Sequence, residues 1–574
     1  MRNIFLSLAL AAATAASADS EYFVKEVVFP ADADSVTKIE MASRLVPSPK
    51  QLAWHSLELT AFLHFGINTF TDREWGNGSE DPRIFNPADL DADRWVETLK
   101  DAGFKMVILT AKHHDGFCLW PTATTAHSVA ASPWRDGRGD VVRDLSDACR
   151  RHGMRLGLYL SPWDRNAPCY GDSDAYNDMF VAQLTELLSD YGKIDEVWFD
   201  GACGEGPNGK KQEYDWLRFK QTMERLQPDA VLAIMGDDVR WVGNEKGLGR
   251  LTEWSATALT PGILAGADES NSRLGLFAKS PDLGGRDIVA KADRLYWWPS
   301  EVDVSIRPGW FWHQSESPKS LRALADIYIN SVGRNSVLLL NVPPDNSGRI
   351  ASSDSLRLME LRRWIDSNFS RPASGGDSVN CVVIREDISR GQRVESFRID
   401  ALTAGHWAEV ARGTTVGHKR ILLFDPIVAD SVRVEVLSSR GTPNLLPLEA
   451  YNIVLPPDVD ALARDCLDDA AWTRTVDASA VTVDLGAPTP FSGFVYEPRP
   501  DVDGGLVLHY IIYVSPDGNN WTALPASGEF SNIVNNPVPQ VVFTPGAAAR
   551  FVRFVALDSS APLNLSSVKF SLLK

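Results

Sequence analysis

Glu196-Val197-Trp198-Phe199-Asp200-Gly201-Ala202-Cys203 is the stretch whose reading decides the fold. Three apolar residues lead straight into a carboxylate, and a glycine follows. A continuous apolar run marks a parallel strand buried on both faces, and the glycine frees the chain to turn at once. Asp200 is therefore expected at the C-terminal tip of a buried strand, where α/β barrels set their chemistry. Taken alone, such an Asp serves equally well as a cap for the next helix, so its surroundings must decide.

Outward from this stretch, from about residue 50 to 365, apolar β-rich runs (61–65, 106–112, 156–160, 231–235, 295–298 and 337–340) alternate with helical patterns at 91–102, 142–152, 178–191 and 214–226. Gly103, Gly153, Gly192 and Gln227-Pro228 supply the helix stops. Such alternation predicts a parallel sheet with helical crossovers. The class is α/β, with a (β/α)8-like barrel catalytic domain over 19–365. An open doubly wound sheet is the alternative. It would carry a glycine-rich phosphate turn after its first strand, which Gly66-Ile67-Asn68-Thr69 is not. Beyond 365 the helical period disappears, and short alternating segments with Gly, Pro, Asn and Asp turns predict two all-β sandwich domains, 366–456 and 457–574, joined at Pro456-Pro457-Asp458.

The 574-residue chain carries a net charge of −18 without a long basic run, which argues against nucleic acid and anionic membrane as partners. Met1-Arg2-Asn3, an apolar run from Ile4 to Ala13 and Ala16-Ser17-Ala18 read as a signal peptide over 1–18. The mature protein is expected to begin near Asp19 and to be exported, periplasmic or secreted, with no later segment suited to membrane insertion. The six cysteines (118, 149, 169, 203, 381, 466) show neither metal-ligand nor disulfide-scaffold spacing. A Cys118–Cys203 disulfide and free buried thiols both remain open.

Nearly every predicted strand of the first domain delivers polar side chains at its end: His64 with Glu74-Trp75, then Lys112-His113-His114-Asp115, then Tyr159 with Ser161, Trp163 and Asp164, then Asp200. Asp237, Arg240-Trp241, Glu245, Glu253, Trp298 and Glu301 follow. One such residue is more often structural than functional, but this many build a polar cleft, and the 18 tryptophans suit the apolar faces of sugars. A metal site built on His64, His113 and His114 is disfavoured, because neighbouring strand residues point to opposite faces and no carboxylate- or Cys-rich spacing supports them. Glycoside hydrolysis needs only two carboxyls, one ionised and one protonated, and no cofactor. Asp200 and a Glu on a neighbouring loop fit it.

His64-Phe-Gly-Ile-Asn-Thr-Phe70, Lys112-His-His-Asp-Gly-Phe117, Tyr159-Leu-Ser-Pro-Trp-Asp164, Glu196-Val-Trp-Phe-Asp-Gly-Ala202 and Gly333-Arg-Asn-Ser-Val-Leu-Leu-Leu-Asn-Val-Pro-Pro-Asp345 resemble, in order, the motifs of glycoside hydrolase family 29, the α-L-fucosidases. The resemblance spans about 50–365. It implies a retaining, exo-acting enzyme with Asp200 as nucleophile and fucose held by His64, Glu74, Trp75, His113, His114, Tyr159, Trp163 and Trp298. Asp237 to Glu245, with Glu253-Trp254-Ser255, resembles the branch acting on α-1,3/1,4-linked fucose, which points to Glu245 as acid/base ahead of Glu253 and Glu301. The expected partners are fucosylated oligosaccharides or glycoconjugates. A broader fucosidase that also takes α-1,2 linkages, and a sugar-binding protein without catalysis, remain alternatives. Gly493-Phe-Val-Tyr496 and Tyr513-Val-Ser-Pro-Asp-Gly-Asn-Asn-Trp521 resemble discoidin-like carbohydrate-binding modules, which admits a structural Ca2+ there and no metal in the catalytic domain.

Overall fold

The apolar runs become a parallel sheet of eight strands: β1 (Leu59–Leu63), β2 (Met106–Lys112), β3 (Arg155–Leu160), β4 (Glu196–Phe199), β5 (Val231–Ile234), β6 (Arg240–Trp241), β7 (Ser300–Ser305) and β8 (Ser336–Asn341). Neighbours run in the order β5-β4-β3-β2-β1-β8-β7-β6, and a bridge from Ala233 to Val239 brings the two ends together. The sheet is thus a near-closed barrel, not an open doubly wound sheet. The computed structural model describes residues 22–458, 466–477, 479–499, 504–524, 528–530, 532–534, 536–565 and 568–574, so the expected signal peptide lies outside the described residues.

Helices α1 (Ala92–Asp101), α2 (Val141–His152), α3 (Ser173–Asp190) and α4 (Trp216–Leu226) follow the first four strands, and α5 (Leu321–Ser331) precedes β8. Asp91, Asp140 and Asp215 cap α1, α2 and α4 by accepting a backbone N–H of the first turn. Gly153 closes α2 in the left-handed region at φ 67°.

One expected barrel strand sits elsewhere. Arg294–Trp297 pairs antiparallel with Glu26–Val28 and Ala256–Thr257, in a separate small sheet. The seventh barrel strand is the next segment, Ser300–Ser305. Its Ser-Glu-Val-Asp-Val-Ser alternation reads as a half-exposed strand, yet all its residues are buried, because Glu301 and Asp303 point into the barrel, where they accept hydrogen bonds from Trp198 and Trp241 at 2.8 Å each.

Lys112 and Asp164, read as possible cleft residues, are spent on structure. The fully buried Lys112 Nζ donates to Asp164 Oδ2 at 2.9 Å and to Gln183 Oε1 at 3.0 Å. Asp164 Oδ1 accepts the backbone N–H groups of Asn166 and Ala167 at 3.0 and 2.8 Å.

After helix α6 (Ser352–Phe369), two three-stranded sheets form a sandwich over residues 377–451, with Val382, Ile384, Val394, Phe397 and Ile399 in its core. It docks on the barrel through Gly333-Arg-Asn335. A Cβ at Gly333 would lie 2.7 Å from Ile421 Cβ. Asn335, at φ 58°, accepts the His418 N–H at 2.8 Å and donates its side-chain amide to the Glu253 carbonyl at 3.2 Å.

The chain divides into two compact units, Met1–Ile306 with Leu324–Leu455, and Arg307–Ala323 with Pro456–Lys574. The second unit holds a seven-stranded antiparallel sheet whose core includes Phe494, Tyr510, Phe530, Phe554 and Phe570. The Asp517 carboxylate closes the turn by accepting the N–H groups of Asn519 and Asn520 at 2.9 and 2.8 Å. Cys118 is buried and Cys203 exposed, and the Cys118–Cys203 disulfide does not form. Among the described residues no three His, Cys, Asp or Glu side chains group as a metal site, in the second unit or elsewhere, and no role is assigned to Ca2+. No described helix is long and apolar enough to cross a membrane.

Replacing Asp164 by Ala strands Lys112 as an uncompensated buried cation. Urea unfolding should show a loss of about 3–5 kcal/mol, and a loss under about 1 kcal/mol would refute this account of the pair.

Candidate active site

Asp200 stands one residue past β4, on the same face as Trp198 and Glu196. Its Oδ2 accepts the Tyr159 hydroxyl at 2.9 Å, and its Oδ1 accepts the Ala202 N–H at 2.8 Å. His114 Nε2 lies 3.8 Å from Oδ2, and about a quarter of the Asp200 side chain remains exposed. Both oxygens are therefore oriented while one edge stays open to the cleft. Tyr159 is placed by register, since it pairs with Trp198 across β3 and β4 and their rings stack at 5.3 Å. Burial pushes the Tyr159 phenol far above its usual range, and the Asp200 charge adds to this, so the hydroxyl keeps its proton as a donor.

His64 follows β1, and the end of β8 fixes its tautomer. Asn341 Oδ1 accepts both the His64 backbone N–H at 3.1 Å and ring Nδ1 at 2.9 Å, while Asn341 Nδ2 donates to Ser305 Oγ at 2.9 Å. The proton therefore sits on Nδ1, and Nε2 is an acceptor. Ser161 does the same for His114: its hydroxyl donates to the Trp163 carbonyl at 2.7 Å, so the 2.7 Å contact with His114 Nδ1 carries the ring's proton. Burial holds all three imidazoles neutral, lowering His64 to about 3, His114 to about 4 and His113 well below its ordinary value. Neutral imidazoles, each with one acceptor nitrogen, suit sugar hydroxyls.

His113 and His114 lie beyond the last residue of β2, in a turn, so strand alternation does not separate them. Their ring centroids are 4.1 Å apart. His113 stacks on Tyr159 at 5.8 Å and meets His64 edge-on at 5.7 Å. Trp75, 43% exposed, stands edge-on to both His114 and Trp163, at 5.3 and 5.7 Å. Glu74 beside it is buried. Trp298 follows the small antiparallel sheet and joins the apolar cluster of Val27, Leu295 and Trp297, so most of its ring is spent on packing.

The carboxyls proposed as partners of Asp200 differ sharply. Glu253 is fully buried between Arg240 and Arg250. Burial opposes its charge, but the two guanidiniums outweigh this and hold the carboxyl below its usual range. Glu301 lies at the second position of β7, hydrogen-bonded to Trp198 and facing Glu196, and burial with that neighbour pushes it far up. Glu245 is half-buried on the loop after β6. Its charge helps raise Asp303, whose first cause is burial, so Glu245 lies within electrostatic reach of Asp303.

Asn341 and Trp198, which position His64 and Tyr159, were not singled out from sequence, and Ser161, read there only as a cleft residue, positions His114. The signal for Asn341 was available in the polar residue ending Val337-Leu-Leu-Leu-Asn341. With histidine-selective 13C labelling, the His64 and His114 imidazoles should still be neutral at pH 5; midpoints near 6.5 would contradict the buried assignment.

The α-L-fucosidase family model matches residues 51–369, and the F5/8 type C domain model matches 460–568. Alpha-L-fucosidase 1 of Arabidopsis thaliana is 43% identical over 71% of this chain and 87% of its own length. A crystal structure of a candidate α-L-fucosidase from Bacteroides ovatus is 52% identical, covers 96% of this chain and 100% of its own, and superposes with a TM-score of 0.74. A Ruminococcus gnavus family 29 fucosidase, solved in complex with fucose, is 30% identical over 74% of this chain and 97% of its own, with a TM-score of 0.62. The near-closed barrel, its ordered strand-end residues and these relatives together make the chain a member of the family 29 α-L-fucosidases, with a C-terminal F5/8 type C domain.

Proposed function

We propose that the protein is an exo-acting, retaining enzyme that removes α-1,3/1,4-linked L-fucose from branched, Lewis-type glycans by double displacement, with Asp200 as nucleophile and Glu245 as acid/base. The observation that carries this reading is the doubly hydrogen-bonded Asp200 carboxylate beneath neutral His114 and Tyr159. His64 and His114 Nε2 accept fucose hydroxyls, Glu74 and His113 complete the polar lining, and Trp75 and Trp163 pack against the sugar. With the ring held there, Asp200 attacks the anomeric carbon as Glu245 gives its proton to the departing glycan oxygen. Glu245 then takes a proton from water, which displaces Asp200 and restores the anomeric configuration.

Glu245 is favoured by elimination and by placement. Glu253 is held ionised by two arginines, and Glu301 is fully buried with its carboxyl accepting the Trp198 indole N–H. The linkage rests on the Asp237–Glu245 stretch and its resemblance. Export rests on the Met1–Ala18 pattern, which makes extracellular or periplasmic glycans the natural substrates.

Asp200→Asn should leave a folded protein that turns over at least about a thousandfold more slowly. Near-normal turnover would remove Asp200 from the mechanism. Glu245→Ala should damage hydrolysis of a Lewis-type trisaccharide far more than the first step on an aryl fucoside, because a phenolate leaves without protonation, and azide should rescue the second step with net retention. The same split in Glu253→Ala instead would move the role. Lewis-type trisaccharides should also outpace 2′-fucosyllactose, and comparable rates would overturn the linkage assignment.

A further inference from the structure

Asp115 takes no part in the steps above, yet it sits where the sugar-holding loop meets the barrel. It follows His113-His114 in the turn after β2 and is 1% exposed. Its Oδ1 accepts the Phe117 N–H at 2.8 Å. Its Oδ2, 4.0 Å from His113 Nδ1, is buried without a hydrogen-bond partner. Across from it, the fully buried Asn68 donates Nδ2 to the Glu74 carbonyl at 3.4 Å, which turns Asn68 Oδ1 the other way, and that oxygen is also buried and unpartnered. Both side chains border Gly76, the residue after Trp75. A Cβ placed there would lie 2.5 Å from Asn68 Oδ1, 2.8 Å from Asp115 Cβ and 2.9 Å from Glu80 Oε1.

Two buried, unpartnered acceptors on side chains that border one glycine are costly, and a single proton shared between them would relieve both. We propose that Asp115 is a positioning residue that carries a proton on Oδ2 and donates it to Asn68 Oδ1, latching the Glu74–Trp75 loop over the fucose site, and that the latch fails when Asp115 ionises. The proposal rests on the reading that Glu74, Trp75 and His113 hold the sugar.

The charges around Asp115 favour the proton. Glu80 faces it from the loop and Asp164 from the end of β3, and both are negative. Of the cations on these elements, Lys112 is spent on Asp164 at 2.9 Å, and Arg165 donates to the Gly76 carbonyl at 2.5 Å. His113 and His127 are held neutral by burial. Burial, against the Phe117 N–H and with the help of Glu80 and Asp164, pushes the Asp115 carboxyl up to about 7. A raised carboxyl keeps its proton below that value and loses it as pH rises through it, so the latch should weaken above about pH 7. The histidines titrate far lower and do not supply this limb.

The test is titration calorimetry of L-fucose against the full chain from pH 5.5 to 8.5. The wild type should lose affinity above about pH 7, approaching tenfold per unit for one linked proton. Asp115→Asn, whose amide keeps a donor and cannot ionise, should hold the wild type's low-pH affinity to pH 8.5, whereas Asp115→Ala should bind weakly at every pH. Glu80→Gln removes a negative neighbour and should move the loss to lower pH, which decides the matter if the Asn variant fails to fold. A wild-type affinity independent of pH, an Asp115→Asn variant that keeps the alkaline loss, or an unmoved midpoint in Glu80→Gln would each overturn the latch. Absence of L-fucose binding at any pH would refute the sugar-site reading beneath it.

Discussion

The hydrogen bond from Tyr159 to Asp200, 2.9 Å long, joins the barrel to its chemistry. Its geometry depends on strand register, because Tyr159 faces Trp198, the residue two before Asp200. Trp198 in turn donates to Glu301 on β7, across the barrel. Asp200 is thereby braced through one aromatic stack and two hydrogen bonds to a strand on the far side of the sheet. A shift of one residue anywhere in β3, β4 or β7 would turn these side chains to the outer face.

The same constraint explains why this barrel tolerates so many polar side chains. Glu196 and Trp198 alternate up β4 toward Asp200 just past its end, while Glu301, Asp303 and Ser305 alternate up β7. At the lower level Glu196 accepts the Trp54 indole N–H at 2.8 Å, and burial pushes its carboxyl up to about 8. Burial also pushes Glu301 and Asp303 well above the usual carboxylate range. Burying a charge without a partner costs several kcal/mol, and the lower carboxyls avoid that cost by staying protonated. The open upper end is the one level where a carboxylate such as Asp200 keeps access to the cleft. The barrel thus grades from neutral acids below to an accessible carboxylate above.

Much of this was legible in the sequence, because buried parallel strands are spelled out as apolar runs and each run hands its last residues to the cleft. Asp200, His64 and Tyr159 were readable for that reason. The seventh strand was not, since its inward Glu301 and Asp303 mimic a solvent-facing pattern and only their indole partners, far away in sequence, reveal otherwise. His113 and His114 were misjudged as strand neighbours although the apolar run itself ends at Lys112, because nothing local shows the turn that brings their rings together. Gly333 and Asn335 belong to a family motif, yet they dock the sandwich on the barrel and do not touch Asp200, a distinction that only the contacts with Ile421 and His418 make visible. Glu253 looked like a second acid until Arg240 and Arg250 closed around it.

The central claim is that the carboxylate braced by Tyr159 forms a bond to the sugar. A 2-deoxy-2-fluoro-fucosyl fluoride tests it most directly: its fluorine slows both steps while the good leaving group keeps the first one feasible, so the covalent intermediate accumulates. Digestion and mass mapping of the inactivated protein should find one fucosyl adduct, on Asp200 in the peptide containing Trp198-Phe199-Asp200. Stoichiometric labelling of any other carboxylate, Glu245 and Asp164 included, or turnover with no adduct and an inverted product, would contradict the account.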